Sequence, residues 1–313
     1  EIDLGALDHY LSFLYTPRDR AIFKGVCKLP PGHYVKWRDG RLDVRQYWQI
    51  GSSEPFRGSA ADAAAALEDV LADAVRSHMI SDVPLGAFLS GGVDSSLVVG
   101  LMARASDRRV KTFSIGFDVP QFDELEHART VSNHFGTEHH EFVVRPDGLS
   151  ILDRLIAHFD EPFADSSAIP TWYVSEIARR HVTVVLSGDG GDELFGGYDR
   201  YLPHPRVERF DSLPLPGKRA MAGLLWPMLP HGARGKNFLR HVSRTDDGRY
   251  LDSIAFFQPD EKQALYSGDV RRSLNGRSPE TALGRHFERF GSLPAHSRMI
   301  PGTRWCRWVP PGP

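Results

Sequence analysis

Between residues 85 and 187, short apolar runs alternate with longer segments of helical periodicity, and few folds accommodate that alternation. Leu85–Ser90, Val110–Phe117, His140–Val144 and Val182–Ser187 read as buried strands; Ser95–Ala105, Asp123–Phe135, Leu149–Phe159 and Thr171–Arg180 read as helices. A strand with helices packed on both faces is apolar throughout rather than every second residue. Repeated βαβ units with right-handed crossovers therefore predict an α/β fold built on a doubly wound parallel sheet. Ahead of these units, Ala60–Met79 carries Ala and Leu at helical spacing with no Gly or Pro, and reads as one more helix.

The flanks are less regular. Residues 1–50 join a helix-like stretch, Leu7–Tyr15, to turn-rich, strand-like pieces around Lys28–Val35 and Arg41–Trp48, too little to bury a core alone. Residues 51–59 are polar and read as a linker, and residues 60–300 as the main domain, with an irregular, partly helical C-terminal part. Helix-like segments there are Arg219–Leu229 and Pro279–Phe290; residues 301–313, rich in Pro, Gly, Trp and Arg, read as an irregular tail.

Composition removes several function classes. With 41% hydrophobic and 25% charged residues, the chain falls in the globular range rather than among disordered or collagen-like sequences. No apolar run approaches the roughly 18 residues of a membrane span, so no membrane partner is expected. Cys27 and Cys306 form no CxxC pair, which suits a reducing, cytoplasmic location; Cys27 is expected to be a small buried residue. Residues 1–202 carry 20 Lys and Arg against 30 Asp and Glu, whereas residues 203–313 carry 18 against 10. A solvated basic face accounts for that imbalance, and Trp305-Cys-Arg-Trp308 reads as an irregular terminus, so no nucleic-acid partner is expected. His127, His134, His139 and His140 with Glu138 and Glu141 lack the spacing of a zinc site and read as surface or strand-end residues.

Two glycine-rich loops, each following a predicted strand, carry the chemistry. In Ser90-Gly-Gly-Val-Asp-Ser-Ser96, Gly91 and Gly92 let the backbone turn tightly and present N–H groups to an anion, and the next helix adds its positive end. Ser90, Ser95 and Ser96 add hydroxyl donors. The Walker A spacing and lysine are missing, and Asp94 within a phosphate loop implies Mg²⁺ between the carboxylate and the phosphates. The second loop, Ser187-Gly-Asp-Gly-Gly-Asp-Glu-Leu-Phe-Gly-Gly-Tyr198, adds Asp189, Asp192 and Glu193. Ligands of open parallel sheets bind at the carboxyl ends of the strands, so both loops are expected on one rim, facing one ligand.

The first loop resembles the pyrophosphate-binding loop of the PP-loop ATP pyrophosphatases. With Thr112-Phe-Ser-Ile-Gly-Phe117, Phe159-Asp-Glu-Pro-Phe163 and the second loop, residues 60–200 resemble the synthetase domain of glutamine-dependent asparagine synthetases. Lys28-Leu-Pro-Pro-Gly-His33 and Tyr47-Trp48 resemble the end of that family's glutaminase domain. The resemblance implies an adenine nucleotide α-hydrolase-like sheet and a reaction of aspartate, ATP and ammonia or glutamine that passes through β-aspartyl-AMP and releases AMP and pyrophosphate. It further implies ATP contacts from Leu89, Ser90, Gly91, Gly92, Asp94, Ser95, Ser96, Ile115, Ser187 and Gly188, magnesium at Asp94 and Asp192, and proton handling by Asp189. Asp94, Asp189 and Asp192 are thus the implied catalytic carboxylates, and a homodimer is admitted.

Two departures qualify the implication. The family's glutaminase uses an N-terminal cysteine; this chain begins with Glu1, so glutamine hydrolysis is expected to be absent. A C-terminal helical segment with a pyrophosphate-binding lysine is not recognisable, and residues 300–313 do not resemble the family. Three other readings stay open: an amide- or lactam-forming synthetase acting on another carboxylate, a tRNA-modifying relative, and a truncated, inactive product.

Overall fold

The computed structural model describes residues 1–17, 19–49, 56–118, 124–144, 150–199, 210, 212–230, 235–275 and 279. In chain order the elements are α1 (Leu4–Phe13), β1 (His33–Arg38), β2 (Arg41–Gln46), α2 (Ala60–His78), β3 (Leu85–Phe88), α3 (Val93–Ala105), β4 (Lys111–Phe117), α4 (Leu125–Phe135), β5 (Glu138–Val144), α5 (Leu152–Phe159), α6 (Ala168–Ala178) and β6 (Val184–Leu186). There follow α7 (Gly191–Phe195), α8 (Leu215–Leu225) with a 3₁₀ turn Trp226–Met228, α9 (Lys236–Val242), α10 (Asp246–Ile254), α11 (Pro259–Leu265) and α12 (Gly268–Leu274). The chain divides into two compact units.

The unit that spans Glu54–Asp160 and Asp165–Asp192 holds a parallel sheet in the order β5-β4-β3-β6. Consecutive strands run outward from β3 through β4 to β5, and the chain then returns to place β6 on the other side of β3, paired Leu85 with Val184 and Ala87 with Leu186. This is a doubly wound α/β sheet whose direction reverses between β3 and β6. Each face has its own core. On one, Val75 of α2, Val99 and Met102 of α3 and Ala128 of α4 pack with Ala87 and Leu89; on the other, Phe113 of β4 and Ala178 of α6 pack with Val182, flanked by Phe88 and Phe142. Phe113 is fully buried, worth roughly 1.5–3 kcal/mol for one side chain.

Element boundaries shift from the expected ones for local reasons. The sixth helix begins at Ala168 rather than after Pro170, because a proline in the first helical turn forfeits no intrahelical hydrogen bond. β5 starts at Glu138, two residues early, because Thr112 and Phe113 of β4 pair with His139 and His140. Residues 119–123 and 145–149, which include the expected helix starts Asp123 and Leu149, lie outside the described residues. Ser59 caps α2 through a reciprocal pair: its Oγ accepts from Asp62 N–H at 3.2 Å and the Asp62 carboxylate accepts from Ser59 N–H at 2.9 Å.

The second unit comprises Glu1–Ser53, Glu161–Ala164 and the described residues from Glu193 to Pro279. Asp3 caps α1 by accepting from Gly5 and Ala6 N–H at 2.8 and 3.1 Å. β1 and β2 form an antiparallel hairpin whose turn residues, Asp39 and Gly40, both have positive φ, as a two-residue turn between twisted strands requires. Cys27, expected to be buried, is instead an exposed free thiol, because it lies on an isolated two-residue bridge with Arg20 rather than in a packed element.

Four helices of this unit, α9 to α12, fall between the two helix-like segments expected in the partly helical C-terminal part. Each has nine residues or fewer, too short for a periodic apolar stripe. Their signals are caps: Thr245 before α10, Gln258 with Glu261 and Pro259 at α11, Ser267 before α12 and left-handed Asn275 after it. Between α1 and α11, buried Asp8 accepts from Lys262 Nζ at 2.7 Å and Tyr266 OH at 2.6 Å, while Lys262 also donates to Ser12 Oγ at 2.7 Å. The expected helix Pro279–Phe290, apart from Pro279, and the tail 301–313 lie outside the described residues.

Candidate functional site

Because β3 and β6 are neighbours in a parallel pair, the loops that leave their carboxyl ends emerge side by side at the point where the sheet reverses. The first loop feeds α3, which begins at Val93, so Asp94 and Ser95 lie in its first turn. Its N-cap, Gly92, has no side chain to occupy the first-turn N–H groups, which suits them to an anion. Ser90 and Ser95 hold the loop in shape: their hydroxyls meet at 2.9 Å, Gly92 N–H donates to Ser90 Oγ at 3.2 Å, and Ser95 Oγ donates to Gly92 O at 3.2 Å. Ser96 Oγ is buried, with no hydrogen-bond partner.

Glycine is required here by space as well as torsion. Gly91 has φ +84°, and a Cβ on it would stand 2.5–2.6 Å from backbone atoms of His127 and Ala128 in α4. The second loop lies against the first: a Cβ on Gly188 would stand 2.6 Å from Ser95 N, and one on Gly191 would stand 2.5 Å from Asp94 Oδ2. The Asp94 carboxylate and the start of α7 therefore share one spot, with Asp192 the next residue. Asp189 is exposed at the rim, where its Oδ2 accepts from Ser187 Oγ at 2.9 Å. Mg²⁺ commonly takes one or two protein carboxylates and completes its shell with phosphate oxygens and water, and Asp94 beside Gly191–Asp192 fits that donor set. Among the described residues, no group of three or more His, Cys, Asp or Glu side chains is arranged to hold a metal ion.

Beside the first loop an open cavity of about 230 Å³ runs along the carboxyl ends of β3 and β4, lined by Leu89, Ser90, Phe113, Ile115, Glu124 and Thr171 among others. Leu89 is buried just past β3, its N–H bonded to Phe113 O at 3.0 Å, and Ser114 donates its hydroxyl to Leu89 O. The expected contacts Leu89, Ser90 and Ile115 thus border one cavity. Glu124, Thr171 and Val174 also line it and went unnoticed in the sequence; the signal for Glu124 was an acidic residue at a helix start following a strand.

His127 and His134 belong to α4, and His139 and His140 to β5. His139 Nδ1 lies 2.8 Å from Thr112 Oγ1, and burial, followed by the charges of His140 and Arg129, lowers its pKa despite the opposing Glu141. His140 stacks on Phe113 at 5.2 Å and lies 4.3 Å from the His181 ring. No helix among the described residues is long and apolar enough to cross a membrane.

Residues 66–295 match the asparagine synthase family. The glutamine-hydrolyzing asparagine synthetase 1 of Bacillus subtilis is 35% identical over 267 residues, which cover 85% of this chain and 42% of that protein. Asparagine synthetase B of Escherichia coli, also named glutamine-hydrolyzing, is 31% identical over 224 residues, 62% of this chain and 39% of that protein. The chain thus spans about two fifths of the length of these relatives. The solved NH3-dependent NAD synthetase of Campylobacter jejuni aligns with 74% of this chain and 97% of that one, at a TM-score of 0.32 and 17% identity. The extent of the first match, across the sheet and both glycine loops, makes this chain a member of the asparagine synthase family.

Proposed function

We propose that this chain carries out the ATP-dependent activation of aspartate for asparagine synthesis. The observation that carries the reading is the contact between the two glycine loops, which brings the Asp94 carboxylate against Gly191 beside the Gly91–Gly92 turn. Membership of the asparagine synthase family and the names of the relatives support the choice of substrate.

In this reading the adenine occupies the cavity beside Leu89 and Ile115, and the phosphates lie on Ser90, Gly91, Gly92 and Ser95, with Ser187 and Gly188 opposite. An aspartate β-carboxylate oxygen attacks the α-phosphorus as the bond to the β-phosphate bridging oxygen breaks, giving β-aspartyl-AMP and pyrophosphate. Ammonia, supplied free or from glutamine, then attacks the acyl carbon, loses a proton, and displaces AMP to leave asparagine. Charge builds on the departing pyrophosphate, where first-turn N–H groups and Ser hydroxyls stabilise it most. Asp94 and Asp192 would hold Mg²⁺, which neutralises phosphate charge. Asp189, exposed at the rim, takes the proton from ammonia.

The test is exchange of labelled pyrophosphate into ATP in the presence of single carboxylic acids. Exchange that depends on aspartate supports the reading. Exchange with a different acid only would reassign the chain to another amide- or lactam-forming reaction, and no exchange with any acid would remove the activating role from this chain.

A further inference from the structure

We propose that Glu124 recognises the ribose of the bound nucleotide and so discriminates ATP from its deoxy analogues; this rests on the reading of the cavity and glycine loop as an ATP site. Three observations converge on Glu124. It is the one charged side chain among the described residues that line the cavity, whose other walls are apolar or carry neutral hydroxyls. It is the N-cap of α4, exposed, one turn before Ala128, whose N–H donates to Glu124 O at 3.1 Å. Ala128 in turn lines the cavity, and its backbone is one of the two groups that a Cβ on Gly91 would strike.

The first turn of α4 therefore borders both the cavity and the glycine turn. In a nucleotide the ribose joins the base to the α-phosphate, so a base in the cavity and phosphates on Gly91 and Gly92 leave the sugar beside this turn. A carboxylate there gains nothing from an apolar base and repels phosphate. The vicinal hydroxyls are the donors on such a ligand that it suits, and a single carboxylate can accept from both. Acidic side chains read ribose hydroxyls in the same way in dinucleotide-binding sheets. Placed at a helix start, Glu124 also favours the α4 dipole, but that effect is blind to the sugar.

Equilibrium binding of ATP, 2′-deoxy-ATP and 3′-deoxy-ATP with Mg²⁺ to the wild-type chain and to Glu124→Gln and Glu124→Ala decides the matter. Wild type is expected to prefer ATP over at least one deoxy analogue by roughly ten- to hundredfold, the range of a hydrogen bond to a charged group. Both variants are expected to lose that preference while binding the disfavoured analogue as wild type does, a pattern that misfolding would not produce. Variants that discriminate as well as wild type, or a wild type that binds all three nucleotides equally, would overturn the assignment and leave the ATP site standing. A wild type that binds none of them overturns both.

Discussion

The Asp94 carboxylate lies against the backbone of Gly191, so closely that one added carbon on Gly191 would stand 2.5 Å from Oδ2. The two residues belong to loops 97 positions apart in the chain, joined only because β3 and β6 are neighbours. Asp94→Ala is expected to abolish Mg²⁺-dependent ATP binding and leave the melting temperature nearly unchanged. Gly191→Ala is expected to act on the same group: the atom it meets is the end of a movable side chain, so stability falls by less than about 1 kcal/mol while ATP affinity drops by about tenfold or more. The double variant should bind no worse than Asp94→Ala alone, since residues in contact do not add. Calorimetric titration with and without Mg²⁺ checks all three, and additive losses would separate the two residues.

Gly91→Ala should behave differently, because its new Cβ meets backbone of α4 rather than a side-chain tip. Strain at φ +84° adds roughly 1–2 kcal/mol to the clash. Urea unfolding should show a total loss of about 2–4 kcal/mol, together with loss of ATP binding. A fully stable Gly91→Ala would mean that the loop has room to spare.

Lys262→Met should strip Asp8 of its buried cation and cost about 3–5 kcal/mol, whereas Asp8→Leu with Lys262→Met should recover most of the loss. Tyr266 reports the same contact: burial, then the hydrogen bond to Asp8, raises its hydroxyl pKa. Chemical denaturation of the two single variants and the double one measures the coupling, and a double variant as unstable as the worse single one would refute the compensation.

Buried His9 is held neutral, its pKa lowered to about 4 by burial first and then by the Arg20 charge. Unfolded histidine takes up a proton near pH 6.5, so between about 6.5 and 4 the unfolded chain binds a proton that the folded one refuses. Stability should therefore fall as pH drops through that window, by up to about 1.4 kcal/mol per pH unit from this group. His9→Phe, which keeps the ring beside Phe13 and Tyr15, should flatten the slope. Denaturation midpoints at pH 7 and 5 test it; an identical slope in the variant would clear His9 of the effect.

Much of the sheet was legible because its physics is local. Runs rich in apolar and β-branched residues mark strands, and Leu85–Phe88 and Val184–Leu186, with Phe113, Ile115 and Phe117 of Lys111–Phe117, announced themselves in that way. Gly91, Gly92 and Asp94 were legible because a tight strand-to-helix turn restricts residue type. Helices α9 to α12 were not, since seven to nine residues carry caps but no stripe. Glu124 was not, because a helix-start acid looks the same whether or not a cavity opens beside it.

What the amino-acid order determined alone is the class of fold, the glycine turn and the carboxylate beside it, since periodicity, the missing Cβ of glycine and the charge of aspartate are properties of near neighbours. Only the tertiary structure decided that Asp94 meets Gly191, that Glu124 stands between cavity and loop, and that Asp8 finds Lys262 across 254 positions. Those pairings depend on which strands lie side by side and which helices share a core, and that outcome is set by the burial of whole faces rather than by any short run of residues.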